Sequence, residues 1–171
     1  MTYEINTYIN NEDNSARFVL GFNNTNPLIV IGVNPSIADD KIPDATIRRV
    51  LGYMQRNGFN GFLMLNVYPQ RATNPDSLPI ECDKLLHKKN LANIENIIRI
   101  HSNATVLVAF GDTIQKRQYL KLCFVDIVKS ISKYNLQWKQ IGNFTVHGNP
   151  RHPSRGAYRE LNDLDVLSYI K

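Results

Sequence analysis

Three short apolar runs punctuate the chain, at residues 28–33 (LIVIGV), 62–67 (FLMLNV) and 105–110 (TVLVAF). None alternates with polar residues, so each predicts a strand buried on both faces. Residues 17–22 (RFVLGF) predict a shorter strand, followed by an Asn-rich turn at 23–27. The first run stops at Asn34-Pro35-Ser36, where proline ends the ladder.

Between the runs the period changes. Asp44 predicts an N-cap, after which Ile47, Val50, Leu51 and Met54 follow helical spacing, with Gly58 as the stop. Residues 69–79 form a polar, proline-containing loop. Residues 83–101 predict a long helix with Leu91, Ile94 and Ile98 inward; His87 and His101 on it read as surface or packing residues. Gly111-Asp112-Thr113 opens a further helix. Segments 137–141 and 144–147 predict late strands or a hairpin around Gly142-Asn143, residues 148–156 a loop, and residues 157–170 a terminal helix. Alternation of strand and helix predicts an α/β fold, a three-layer α/β/α sandwich with a mostly parallel central sheet and right-handed connections. Ligands of such sheets sit beyond the carboxyl ends of the strands, which selects the loops after Val33, Leu65 and Phe110.

A length of 171 residues suits a single domain, 1–171, able to bury a core without metal or disulfide staples. The longest apolar runs fall far short of the about 20 residues of a membrane helix. The amino-terminal residues lack the basic and apolar regions of a signal peptide, so the expected location is cytoplasmic, with no membrane partner. Cys82 and Cys123 make no CxxC or four-ligand pattern and read as reduced cytosolic thiols; no metal or other cofactor is expected. The formal net charge of +5 suits a polyanion or a nucleotide, although many basic proteins bind neither.

Candidate chemistry lies in three loops. In the first, Gly32 permits close backbone approach, Pro35 stiffens the exit, and Asn34 and Ser36 offer polar side chains. Asp39, Asp40 and Asp44 add carboxylates, so an amide or carboxylate here could hold an attacking water. The alternative is a turn satisfying its own backbone. In the second, Asn66 ends a buried strand and offers a donor and an acceptor side by side, matching a base edge. Tyr68 offers a stacking face and Arg71 a phosphate contact; alternatively Asn66 caps a turn and Tyr68 fills core. The third, His147-Gly-Asn-Pro-Arg-His-Pro-Ser154, is stiffened by two prolines. His152 could donate to a developing anion, and Arg151 and Ser154 could hold a phosphate. Arg48, Arg49 and Arg56 form a basic helix face, solvated or extending that phosphate surface. Neither a phosphate-binding Walker loop nor a G-x-S-x-G elbow occurs.

The stretches Asn34-Pro-Ser-Ile-Ala-Asp39, Asp44-Ala-Thr-Ile-Arg-Arg49, Leu65-Asn-Val-Tyr-Pro-Gln-Arg-Ala-Thr-Asn-Pro75 and Gly148-Asn-Pro-Arg-His-Pro153 resemble, in order, the bacterial and phage family called domain of unknown function 1643. More distantly, Gly32-Val-Asn-Pro35, Leu63-Met-Leu-Asn66, Val108-Ala-Phe-Gly111 and His152-Pro-Ser154 resemble the ordered motifs of the uracil-DNA glycosylase superfamily. That resemblance implies a uracil-DNA-glycosylase-like fold and a nucleobase-containing ligand. It implies that Asn34 positions the attacking water, Asn66 reads the base edge, His152 stabilises the departing base and Ser154 contacts a phosphate. Two departures qualify it. Arg155-Gly-Ala stands where DNA-reading members carry an apolar wedge, which points away from duplex DNA toward single-stranded or modified nucleic acid or a free nucleotide. The first motif also lacks its activating carboxylate unless Asp39 or Asp44 supplies one. Three functions follow as expectations: hydrolysis of an N-glycosidic bond, nucleotide or nucleic-acid binding without catalysis in the same pocket, or a protein-interaction or inhibitor role.

Overall fold

Residues 3–154 and 156–171 are described by a computed structural model; Met1, Thr2 and Arg155, the residue at the expected wedge position, lie outside the described residues. The three apolar runs form the centre of one sheet as β3 (Pro27–Gly32), β4 (Gly61–Asn66) and β5 (Thr105–Val108). Strands β1 (Thr7–Asn10), β2 (Arg17–Phe22), β6 (Gln137–Ile141) and β7 (Leu161–Asp163) complete it in the order β1-β2-β4-β3-β5-β6-β7.

The inner strands β4-β3-β5-β6 are parallel, whereas β1/β2, β2/β4 and β6/β7 pair antiparallel. The sheet is therefore mixed, a correction to the mostly parallel expectation. Apolar runs report burial, and burial does not encode the direction of a neighbouring strand.

The helices are α1 (Ala45–Arg56), α2 (Lys84–Ile100), α3 (Gln118–Ile131) and the one-turn α4 (Val166–Tyr169). Side chains alternate across the sheet. Leu28, Val30, Phe62 and Met64 therefore meet Ile47, Val50, Tyr53 and Met54 of α1 on one face. Ile29, Ile31, Leu63 and Leu65 meet Ile94, Ile97 and Ile98 of α2 and Phe124, Ile127 and Val128 of α3 on the other. Asp44 caps α1 as its sequence predicts, its Oδ1 accepting from Ile47 N at 2.9 Å.

Two terminal readings are corrected. Residues 157–170 do not form one helix: 161–163 pair with β6, and Asp165 caps the short α4. The apolar spacing of Tyr158, Leu161 and Leu164 imitates a helix, but edge pairing to an existing strand prevails. Residues 144–147 form a turn rather than a strand, and the helix expected at Gly111 is a 3-10 turn, Gly111–Gln115, leading into α3.

From β3 the chain passes through α1 to β4 on one side, then through α2 on the opposite face to β5 on the other. The connections thus reverse at β3, and a crevice opens between the carboxyl ends of β3 and β5.

Beside this centre, β2 and β4 approach closely at Gly21. A Cβ there would lie 2.0 Å from the Phe62 carbonyl oxygen and 2.9 Å from Leu63 Cα. Backbone cannot yield as a side-chain tip can, so Gly21→Ala is expected to cost about 2 kcal/mol or more. Urea unfolding followed by circular dichroism checks this; an unchanged midpoint would mean that the strands separate freely.

Candidate functional site

The crevice holds a cleft of about 730 Å³ at the carboxyl ends of β3 and β5. Four pieces of chain line it: the β3–α1 loop with the first turn of α1, residues 72–75, residues 110–113 and residues 145–154.

The first wall is built on Asn34. Its Nδ2 donates to Ala72 O at 2.7 Å and Pro35 O at 3.0 Å, and Ala72 N donates to Pro35 O at 2.9 Å. Two carbonyls on one side fix the amide's orientation, so Oδ1 is the acceptor end. The loop beyond it is held from beneath. Arg17, 2 % exposed, donates to Ala38 O at 2.7 Å, and Arg71 donates to the same oxygen at 3.2 Å and to Ser36 O. Burial and the neighbouring Arg71 charge push the Arg17 guanidinium down to about 10. Asp44 closes this wall.

The opposite wall starts at Gly111, in the left-handed region with φ +62°. A Cβ there would lie 3.0 Å from His152 Cβ, and Gly111 N donates to Pro150 O at 2.9 Å, so the late loop seats directly on the end of β5. Asp112 fixes that loop: its Oδ1 accepts from Thr145 Oγ1 at 2.6 Å and from Asn149 Nδ2 at 2.8 Å. Asn149, 2 % exposed, accepts in turn from Tyr169 Oη at 3.0 Å. Arg151 holds the Asn143 and Phe144 carbonyls at 2.8 and 3.1 Å. Ser154 N donates to His152 Nδ1 at 3.3 Å, and Ser154 Oγ stands 2.8 Å from the same nitrogen. With Nδ1 accepting, the neutral ring carries its proton on Nε2.

Residues 17–154 match the family model described as protein of unknown function, DUF1643. The chain belongs to this family. No curated protein and no solved structure matches it. The span matched by DUF1643 contains every residue that lines the cleft, from Val33 to Ser154. Tyr169, which steadies Asn149 from α4, lies outside that span.

Of the residues selected from sequence, Asn34, Ser36, Asp44, Arg151, His152 and Ser154 line the cleft together. Gly32, Pro35, Asp39, Asn66, Tyr68 and Arg71 are not among its lining residues. Pro35 is buried under the loop. Gly32 leaves room for other side chains: a Cβ there would meet Met64 Cε at 2.5 Å and Asn66 Oδ1 at 3.3 Å. Asn66 is fully buried on the α1 side, and neither of its amide atoms has a hydrogen-bond partner among the described residues. Tyr68 is core, packed edge-on against Tyr119 and accepting from Asp83 N at 3.1 Å. Arg71 spends its guanidinium on the loop carbonyls, and Asp39 Oδ1 accepts from Lys41 N and Ile42 N within its own turn. Arg48 and Arg56 are exposed, whereas half-buried Arg49 binds the Pro153 and Gly156 carbonyls at 3.0 and 2.8 Å and stacks on Tyr158.

Sequence reasoning took Asp112 as part of a capped strand-to-helix turn and did not single out Thr145 or Asn149, the side chains it holds. The available signal was an acid placed directly after a buried strand and Gly111, which reads equally well as a helix cap. Among the described residues, no group of three or more His, Cys, Asp or Glu could hold a metal ion. No helix among them is long and apolar enough to cross a membrane.

Partial burial acts to raise the Asp112 carboxyl, but the bonds from Thr145 and Asn149 and the charges of His147 and Arg151 hold it below its ordinary value. A depressed carboxyl stabilises the fold above its unfolded value and loses that contribution as pH falls through the folded value. Asp112→Asn is therefore expected to lower Tm at pH 7, with the gap to the native protein closing below about pH 4. Thermal unfolding across that range checks both the sign and the window.

Proposed function

We propose that the cleft binds a nucleobase-containing ligand and hydrolyses its N-glycosidic bond. The observation that carries this reading is that Asn34 and His152, from distant parts of the chain, face the same cleft at the switch point of the sheet. Cleavage leaves positive charge on the sugar and negative charge on the base, so the site needs a held water at one end and a donor at the other. With both Nδ2 hydrogens committed to carbonyls, Asn34 presents Oδ1 as an acceptor that orients the water. Asp44, which lines the cleft where Asp39 does not, supplies the carboxylate that takes the water's proton. His152 donates from Nε2 to the departing base. Ser154 contacts the ligand's phosphate together with Arg151 Nη1, since Nε and Nη2 of that guanidinium hold the Asn143 and Phe144 carbonyls.

In this reading the helices on both faces form the three-layer, uracil-DNA-glycosylase-like arrangement, and single-stranded or modified nucleic acid or a nucleotide is the substrate. The net charge of +5 supports such a partner. Asn66, enclosed behind Gly32 and Met64, takes no part while the cleft has this form.

A second reading, binding without turnover, draws on one observation: Asp44 already commits Oδ1 to capping α1, which leaves one carboxylate oxygen for the cleft. Mass spectrometry of bases released from single- and double-stranded DNA and RNA, with normal and modified bases, and from a nucleotide mixture separates the two. Base release that falls about 100-fold or more in both Asn34→Ala and His152→Ala is expected. Saturable nucleotide binding with no release would select the second reading; neither release nor binding would reject both.

A further inference from the structure

The two cysteines lie outside the cleft, and the hydrolysis proposed above does not use them. Cys82 stands in the segment running from the cleft wall at Ala72, Thr73 and Pro75 to the start of α2. Cys123 is buried in α3. The residues are 41 positions apart in the chain, yet their Sγ atoms stand 3.8 Å apart. The backbone around Cys82 is already held against α3. Arg117, the residue before that helix, donates to Asp76 O at 2.6 Å and Leu78 O at 2.8 Å and also reaches Pro79 O. Lys116 pairs with Asp76 at 2.9 Å, and Asp83 N donates to Tyr68 Oη at 3.1 Å. A disulfide needs its sulfurs at about 2 Å, a closing movement on the scale of side-chain rotation.

We propose that Cys82 and Cys123 are an oxidative modification site, a dithiol that converts reversibly to an intramolecular disulfide tying the cleft-wall segment to α3. With a peroxide as oxidant, the Cys82 sulfur, the more exposed of the two, attacks the O–O bond and becomes a sulfenic acid as the first water leaves. The Cys123 sulfur then attacks Cys82 Sγ, the S–S bond forms, and the second water leaves with the thiol proton. Two electrons pass from the sulfurs to the peroxide, and an external thiol reverses the step.

The surroundings set its tempo. Burial raises both thiols, Cys123 the further, and the carboxylates of Asp83 and Asp126 act in the same direction on Cys82. Oxidation is therefore slow at neutral pH, because the thiolate is the reacting form. Reduction is slow too, since a thiol attacking Cys82 must expel the buried Cys123 thiolate, a poor leaving group. The pair answers sustained oxidation rather than a brief pulse.

The test treats the full chain with hydrogen peroxide, blocks remaining thiols with iodoacetamide and reads intact mass, non-reducing peptide maps and thermal unfolding. The expected product has no alkylated cysteine, is lighter than the reduced chain by two hydrogen atoms, and yields one linked peptide containing Cys82 and Cys123. Its Tm rises by up to about 10 °C, and dithiothreitol restores the starting values. Cys82→Ser, at the partly exposed position, and Cys123→Ala each abolish the shift. Two thiols that stay open to alkylation, disulfides only between chains, or a Cys82 sulfinic acid beside reduced Cys123 would each overturn the proposal. The unaltered chain's peptide map decides the matter even if a variant folds poorly.

Discussion

The carbonyl oxygen of Ala38 accepts from two guanidiniums, and the shape of the first cleft wall follows from that junction. The β3–α1 loop has no ladder of its own, so its polar groups need partners from elsewhere. Arg17 reaches it from β2 and Arg71 from the chain just after β4, one almost wholly buried and the other tied also to Ser36 and Tyr8. Neither arginine is ion-paired with a carboxylate among the described residues; main-chain dipoles and nearby charges take that place. The loop's path is thus set by cations beneath it, while Asn34, its Nδ2 held by carbonyls, and Ser36 line the cleft above. The opposite wall uses the reverse arrangement, an anion at Asp112 gathering hydroxyl and amide donors from the late loop.

Local patterns made the interior legible. The run at 17–22 is β2 as it stands in the sequence, and the three apolar runs are the three central strands within a residue or two at each end. Asp44 announced α1 because capping is decided within four residues. Elements whose existence depends on a distant partner were not legible. Strand β1 is a mixed polar segment that pairs only because β2 offers an edge, and β7 pairs only because β6 does.

The site was legible only in part, because residues that line the cleft and residues that merely hold its loops come from the same motifs. His152 and Asn34 both line the cleft, although each also bonds within its wall, Asn34 to the Ala72 and Pro35 carbonyls and His152 to Ser154. Arg71, Tyr68 and Asp39 belong to the same motifs but serve the architecture: a carbonyl clamp, a core ring and a turn cap. An arginine that binds a phosphate and one that binds a carbonyl look alike until the acceptor is known.

Arg49 joins α1 to carbonyls 104 and 107 residues further along, and the end of β5 is completed by Pro150. On a ribosome adding about 5–20 residues each second, the first wall therefore emerges roughly 5–20 s before its counterpart. During that interval the nascent protein can hold part of its sheet but only one wall of the cleft. Synthesis itself acts as a timer, so the two-walled cleft belongs to the finished molecule and not to its growing precursor.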